Sequence, residues 1–148
     1  VMAQHQDSTA VQVAAQEKGV YGIGYDNPMY SEAIKDAYLT APIWLWASYY
    51  QTRIQAVLDG KWTKGEYWGG MKEGVVGLDT MTALVPKDVQ DKVNALVGTM
   101  KEKGNEFVFA GPIVDNTGAE RVAAGSSLDK AGQMSMDWYV KGVVVAGD

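Results

Sequence analysis

The chain has no cysteine and a single histidine, His5, among its 148 residues. The first absence excludes disulfides and thiolate chemistry and is compatible with an oxidising compartment. The second leaves no histidine cluster for a zinc ion and no context for a catalytic triad. Basic side chains are in deficit, 13 against 18 acidic, so the formal net charge is -5. That balance counts against a nucleic-acid partner, which is held through basic surface. No apolar run reaches the ~18 residues of a membrane-spanning helix. Gly-x-Ser-x-Gly elbows, Walker loops and His-Glu-x-x-His spacings are also missing. Gly22-Ile-Gly24-Tyr-Asp-Asn27 matches a dinucleotide fingerprint only in part, with Asn27 in place of the third glycine and Pro28 where a helix should begin. The chain is therefore not read as an enzyme, and no catalytic residue, metal site or cofactor is expected.

What the chain does have is glycine and flat aromatics: 17 Gly, 5 Trp and 8 Tyr. With 47% hydrophobic residues it is composed like a globular domain with one modest core. The organising stretch is Gly19 to Met29. Gly19 reads as a helix stop, Val20, Tyr21 and Ile23 as a short buried strand, and Tyr25-Asp26-Asn27-Pro28 as the loop that follows. Upstream, Val1-Met2-Ala3 reads as a strand end, Asp7, Ser8 or Thr9 as the N-cap of a helix running to about Lys18, and Val11, Ala14 and Ala15 as its apolar face. Strand, polar loop, helix, strand is half of a parallel α/β repeat, in which both loops open at the same end of the sheet. His5 is then a hydrogen-bond donor to a ligand or a solvated loop residue, and Asp26-Asn27-Pro28 a reading loop or simply a turn.

Further on, Met29–Asp36 is a polar segment of one or two helical turns, and Ala37–Ile43 reads as a strand. From Ala47 a helix presents Tyr50, Ile54, Val57 and Leu58 along one face and stops at Gly60. Trp44, Trp46, Tyr49 and Tyr50 crowd the junction before it; they are core, or stacking surfaces for a flat heterocycle. Lys61–Gly74 alternates glycine with Trp62, Tyr67 and Trp68. Lys72 in that stretch is a solvated lysine, a donor to a ligand hydroxyl, or a partner for Asp26. Val75–Leu78 reads as a strand, Pro86–Lys103 as a surface helix closed by Gly104, and Phe107–Ile113 as a strand ended by the turn Asp115-Asn116-Thr117-Gly118. Arg121–Lys130 reads as a loop, and Met134–Val145 as strand or helix, with Trp138 and Val143–Val145 favouring strand.

Several segments, in this order, carry a likeness: VMAQHQDSTAVQVAAQEKGVYGIGYDNPM, LTAPIWLW, YWGGMKEGVVGL, VPKDVQDKV, FAGPIVDNTG and MSMDWYVKGVV. Together they resemble the basic membrane protein family of substrate-binding lipoproteins of bacterial ABC transporters, over nearly the whole chain. The resemblance implies a type I periplasmic-binding-protein fold, a three-layer α/β sandwich of two lobes closing on a ligand. Members of that family are longer, and the segments match their C-terminal part. The expectation is therefore a fragment lacking most of the first lobe: residues 1–43 from the second lobe, and residues 44–148 forming hinge crossings and shared C-terminal elements. Apolar faces should lack partners, to be covered by the missing lobe or by another copy. The family implies a purine nucleoside or nucleobase ligand, an ABC permease as partner, no nucleic acid, and a periplasmic or cell-surface lipoprotein.

Carried over by motif, Asp26 would hold a ribose hydroxyl or base nitrogen and Lys72 a hydroxyl or carboxylate. Ala3 stands where family nucleoside binders have an aromatic. Tyr49 and Tyr50, preceded by Trp44 and Trp46, stand where some relatives carry an acid. These departures point to a nucleobase or similar heterocycle stacked on tryptophan. The candidate ligand residues are thus His5, Asp7, Ser8, Tyr25, Asp26, Asn27, Trp44, Trp46 and Lys72. Two other readings remain: a ligand-sensing or receptor-docking domain of the same fold, and a fragment of a dinucleotide-binding enzyme.

Overall fold

In the computed structural model of the chain, residues 1–145 are described. Strand β1 (Met2–Ala3) leads through a polar loop into helix α1 (Ala10–Glu17), and α1 returns to strand β2 (Gly22–Ile23). β1 and β2 pair in parallel, Met2 opposite Gly22 and Ala3 opposite Ile23, as the strand–helix–strand reading expects. Gly19 has φ +62°, so the turn out of α1 uses a conformation that side chains disfavour. Thr9 occupies the N-cap position, but its side chain makes no capping bond; the Ser8 hydroxyl instead accepts the Ala10 N–H at 3.4 Å.

The segment 37–44 leaves a turn at Ala37 and joins two pairings. On one side Gly22 N–H donates to Ala37 O, Leu39 N–H to Gly22 O and Gly24 N–H to Thr40 O, all between 2.8 and 3.0 Å, running parallel to β2. On the other, its end forms strand β3 (Pro42–Trp44), antiparallel to strand β4 (Val76–Leu78). The Ala37–Ile43 expectation holds only in part: Ala37 lies in a turn, Tyr38 makes a single bridge to Gly22, and the strand itself is Pro42–Trp44. The layer that results runs β1, β2, segment 37–44, β4. Its core is Met29, Ile34, Tyr38 and Ala41, with Ile34, Tyr38 and Ala41 fully buried and Ile43 packed against them. Each large apolar side chain so buried contributes roughly 1.5–3 kcal/mol.

Two glycines of the incomplete fingerprint have a packing role. A Cβ on Gly24 would stand 3.1 Å from the Ala41 Cβ, 3.2 Å from Tyr38 Cε2 and 3.3 Å from Met29 Sδ. A Cβ on Gly22 would meet Gln12 Cγ at 3.1 Å. That second approach corrects the expected face of α1. Gln12 and Ala15 are buried while Ala14 is exposed, because the bare backbone of Gly22 admits the Gln12 stem.

Helix α2 (Ala47–Leu58) occupies the expected span and ends before Gly60, at φ +67°. Helix α3 (Lys87–Lys103) follows Pro86 and ends at Gly104. Exposed Lys87–Asp91 and Asp88–Lys92 pairs brace its first turns, at a few tenths of a kcal/mol each. Among the described residues α3 makes close backbone contact with the turn at 105–107 and faces β4 across a hollow lined by Gln90, Asn94 and Val97, while α2 makes such contact with no other helix or strand. Among the described residues α1 is the one helix in direct contact with the sheet, and no sandwich covered on both faces is assembled.

The C-terminal region departs most from expectation. Asn105–Phe107 is a single 3-10 turn, and Ala110 makes one bridge, to Ser127, so Phe107–Ile113 is not a continuous strand. The backbone at Gly111 passes so close to Ala123 O that any side chain would collide, and only beyond Pro112 does strand β5 (Ile113–Val114) begin. It pairs antiparallel with strand β6 (Glu120–Val122), which occupies the start of the segment expected to be a loop. The Asp115–Gly118 turn joins them as expected. Helix α4 (Lys130–Met134) is capped by the Asp129 carboxylate on Gly132 N–H. Of the stretch from Met134 to Val145, only Val140 bridges, to Asp115, and Val143–Val145 form no strand.

Candidate functional site

Because β1 and β2 are parallel, the loops that leave them open at one end, where open α/β sheets bind ligands. His5 and Tyr25 meet there, their rings stacked with centroids 4.4 Å apart and planes at 30°. Asp26 follows with φ +76°, a left-handed conformation that Asp tolerates better than most residues. In that conformation its carbonyl accepts the Trp44 N–H at 2.9 Å, tying the tip of β2 to the end of β3. Trp44 then stacks on Trp46, centroids 5.8 Å apart and planes at 23°, with both indoles about two-fifths exposed. Trp46 continues to Tyr49 at 5.8 Å and Tyr50 at 6.2 Å, and Tyr49 to Tyr67 at 4.4 Å. A row of rings therefore runs from the strand tips onto α2.

The loop between β1 and α1 is held by Gln4, whose Nε2 donates to Gln6 O and Ser8 O, both at 2.8 Å. Asp7 and Ser8 are exposed on it, and Asn27 is exposed beside Asp26. Underneath, the Tyr38 hydroxyl donates to Asp79 Oδ2 at 2.6 Å and accepts the Met29 N–H at 3.4 Å. Burial first, and the adjacent Asp79 carboxylate second, push this phenol well above its ordinary range, so it stays neutral. Tyr38 seats Gly24, and Gly24 carries Tyr25 and Asp26. The strand tip is thus positioned from the core.

Lys72 lies elsewhere. It sits in the turn leading into β4, its stem against Gly104, and lines a hollow of about 320 Å³ with Trp68, Glu73, Lys103, Glu106 and Lys130. None of the other candidates lines that hollow, and no ion pair joins Lys72 to Asp26 among the described residues. Lys130 Nζ stands 5.6 Å over the Trp68 ring and pairs with Glu66. The candidates fall into two groups, a strand-tip group of eight and Lys72 alone. Trp68, Lys103 and Lys130, not assigned from sequence, surround it. Trp68 had a signal in the aromatic–glycine stretch; the two lysines, at helix ends far along the chain, had none.

A third polar cluster is structural. Asp115, fully buried, accepts from the Thr117 hydroxyl, the Thr117 and Ala119 N–H groups and Arg121 Nε, at 2.6–2.9 Å. The Thr117 hydroxyl, then Arg121 and the backbone donors, hold its carboxyl far below the usual range despite the opposing effect of burial. These bonds close the β5–β6 turn.

Comparison with known proteins bears on the same region. Residues 1–106 match the Bmp family, described as ABC transporter substrate-binding protein PnrA-like. A purine-binding protein of Brucella abortus is 36% identical over 143 residues, which is 97% of this chain and 40% of that protein. A putative ABC transporter glucose-binding protein of Haloferax volcanii is 39% identical over 95 residues, 64% of this chain and 24% of that protein. The chain thus spans two-fifths or less of the length of these relatives. Among solved structures, a transcriptional activator of the comK gene from Bacillus halodurans superposes with a TM-score of 0.57 over 71% of this chain and 38% of its own, at 20% identity. That likeness speaks to the fold alone.

Proposed function

The chain belongs to the Bmp family of PnrA-like ABC transporter substrate-binding proteins, and from that premise we propose that it supplies one wall of the solute-binding cleft of an ABC importer, for a flat heterocycle of the purine class. The parent protein is a two-lobed, type I periplasmic-binding-protein-like receptor that works outside the cytoplasm as a lipoprotein and delivers its ligand to a permease. Residues 1–43 belong to its second lobe, and residues 44–148 to hinge crossings and shared elements. No bond is made or broken. The ligand binds the closed state better than the open one and shifts the population toward closure.

The observation that carries this reading is the strand-tip group: the His5–Tyr25 stack, Asp26 bonded through its backbone to Trp44, and the exposed Trp44–Trp46 pair. A base stacked on an aromatic face gains about 1–3 kcal/mol. Asp7, Asp26 and Asn27 offer acceptors to base N–H groups, and His5 and Ser8 hydrogen-bonding partners. The named function of the relative matched over 97% of this chain agrees with a purine. The glucose name of the Haloferax relative supports a second reading, since sugars also lie on indole faces and present hydroxyls to carboxylates. Calorimetric titration of adenine, adenosine, guanosine and glucose into the parent protein separates the two. Heat with a purine, reduced at least tenfold in affinity by Trp44→Ala or Asp26→Ala, supports the proposal. Heat with glucose alone replaces it, and silence from all four rejects both.

A further inference from the structure

The two loops that meet at the strand tips follow different strands, yet one side chain reaches both. Gln4 leaves the end of β1, and its Nε2 donates to Gln6 O and Ser8 O at 2.8 Å and approaches Met29 Sδ at 3.4 Å. Met29 closes the loop that carries Tyr25, Asp26 and Asn27. It is buried with Ile34, Tyr38 and Ala41, and its Sδ stands 3.3 Å from the Cβ position of Gly24. One thioether therefore lies under the β2 tip and against the amide that shapes the β1 loop. Drawing the carbonyls of Gln6 and Ser8 to one nitrogen curls the loop around Gln4 and leaves His5, Asp7 and Ser8 exposed, with the His5 ring laid on Tyr25 at 4.4 Å.

The chemistry of this tie is specific to a glutamine. Two carbonyl oxygens face Nε2, so a carboxylate in its place would be repelled; asparagine stops one carbon short, and methionine has no N–H to donate. The tie also leaves Oε1 buried without a hydrogen-bond partner among the described residues. An acceptor left in that state lowers stability, so what Gln4 contributes is the shape of the loop. Gln16, at the other end of α1, is different: its Nε2 donates to Ala33 O at 2.9 Å and its Oε1 accepts the Asp36 N–H at 3.1 Å. We infer that Gln4 is a positioning residue of the cleft. It touches no ligand; by drawing the β1 loop onto Met29 it holds His5, Asp7 and Ser8 in register with Tyr25 and Asp26. The loop is then ordered before the ligand arrives, and less freedom is lost on binding. The inference rests on the proposed cleft, but its first test needs no ligand.

That test is backbone amide relaxation by NMR on the 148-residue chain. In Gln4→Met, and in the isosteric Gln4→Glu, order parameters of residues 5–8 should fall from about 0.85 to about 0.6 or lower. The His5 ring resonances should at the same time lose the upfield shift that Tyr25 gives them. Gln16→Met, a like change at the far end of α1, should leave both unchanged. Calorimetric titration of adenine into the parent protein then reads the consequence: affinity about tenfold lower or worse in each Gln4 variant, with the urea midpoint of Gln4→Met unchanged, and wild-type affinity in Gln16→Met. A loop that stays ordered in both Gln4 variants overturns the inference. So does full adenine affinity once the loop has loosened, and so does an affinity loss matched by a fall in urea midpoint, since Gln4 then acts on stability alone. Silence of the wild-type parent toward adenine rejects the purine reading instead, and the tie is then upheld or overturned by the order parameters.

Discussion

Gln12 offers the sharpest test of how α1 is seated on the sheet. Its side chain is fully buried, and neither Oε1 nor Nε2 has a hydrogen-bond partner among the described residues. A buried amide left unpaired costs about 1–3 kcal/mol. Methionine is nearly the same length and unbranched, so Gln12→Met keeps the stem that passes 3.1 Å from the Cβ position of Gly22 and removes both orphaned atoms. Leucine would put a branch at the point of closest approach and is the poorer choice. The expected outcome is a gain of about 1–3 kcal/mol, or roughly 3–9 °C in Tm for a chain of this size. Urea unfolding followed by far-UV circular dichroism reads it as a higher midpoint with an unchanged slope. A loss of about 1 kcal/mol or more, the size of one net hydrogen bond, would refute the reasoning: the amide is then bonded in solution, and α1 does not lie on Gly22 as described.

Three other perturbations follow from the same geometry. Tyr38→Phe removes a hydroxyl that serves both Asp79 and Met29 and should cost about 1–2 kcal/mol; in a cycle with Asp79→Asn the two losses should be less than additive, and strict additivity contradicts the bond. Gly24→Ala forces a methyl into contacts of 3.1–3.3 Å and should cost about 1–3 kcal/mol by urea unfolding, whereas a neutral result means that the β2 tip is not packed on Tyr38. Asp115 has a folded-state pKa depressed below its unfolded value, so its contribution is complete above the ordinary carboxylate range and is lost as pH falls through the folded value. Between about pH 6 and pH 2 the urea midpoint of the wild type should fall, and that of Asp115→Asn should start lower and fall less steeply; parallel curves would remove Asp115 from the acid response.

The helices of the first half were legible because each rests on short-range chemistry, whereas Val20 and Tyr21, read as a buried strand, are exposed ahead of the strand Gly22–Ile23. Gly19, Gly60 and Gly104 end three helices where a positive φ is needed, and parallel pairing of β1 and β2 follows from the helix between them. The strand-tip group was legible for the same reason, since parallel strands bring their following loops together. What could not be read depends on contacts distant in sequence. The buried face of α1 is set by Gly22, which lets a glutamine into the interior. The fate of Phe107–Ile113 is set by Ala123, whose carbonyl lies against Gly111. Lys72 was grouped with Asp26 by chemistry and by the family motif, yet it lies beside Gly104 because the turn before β4 points its stem there. The apolar row of α2 was read correctly as a row, but periodicity does not say what covers it: Leu58 is 74% exposed.

The most direct test of the one-wall cleft is amide and indole shift mapping of the 148-residue chain by NMR as adenine is added, with glucose as the comparison. A single wall cannot close, so weak, fast-exchanging binding is predicted, with adenine shifts concentrated at His5–Ser8, Tyr25–Asn27 and the Trp44 and Trp46 indoles. Shifts confined to the Trp68–Lys72 hollow, shifts produced at the strand tips by glucose and not by adenine, or tight binding by this chain alone would contradict it.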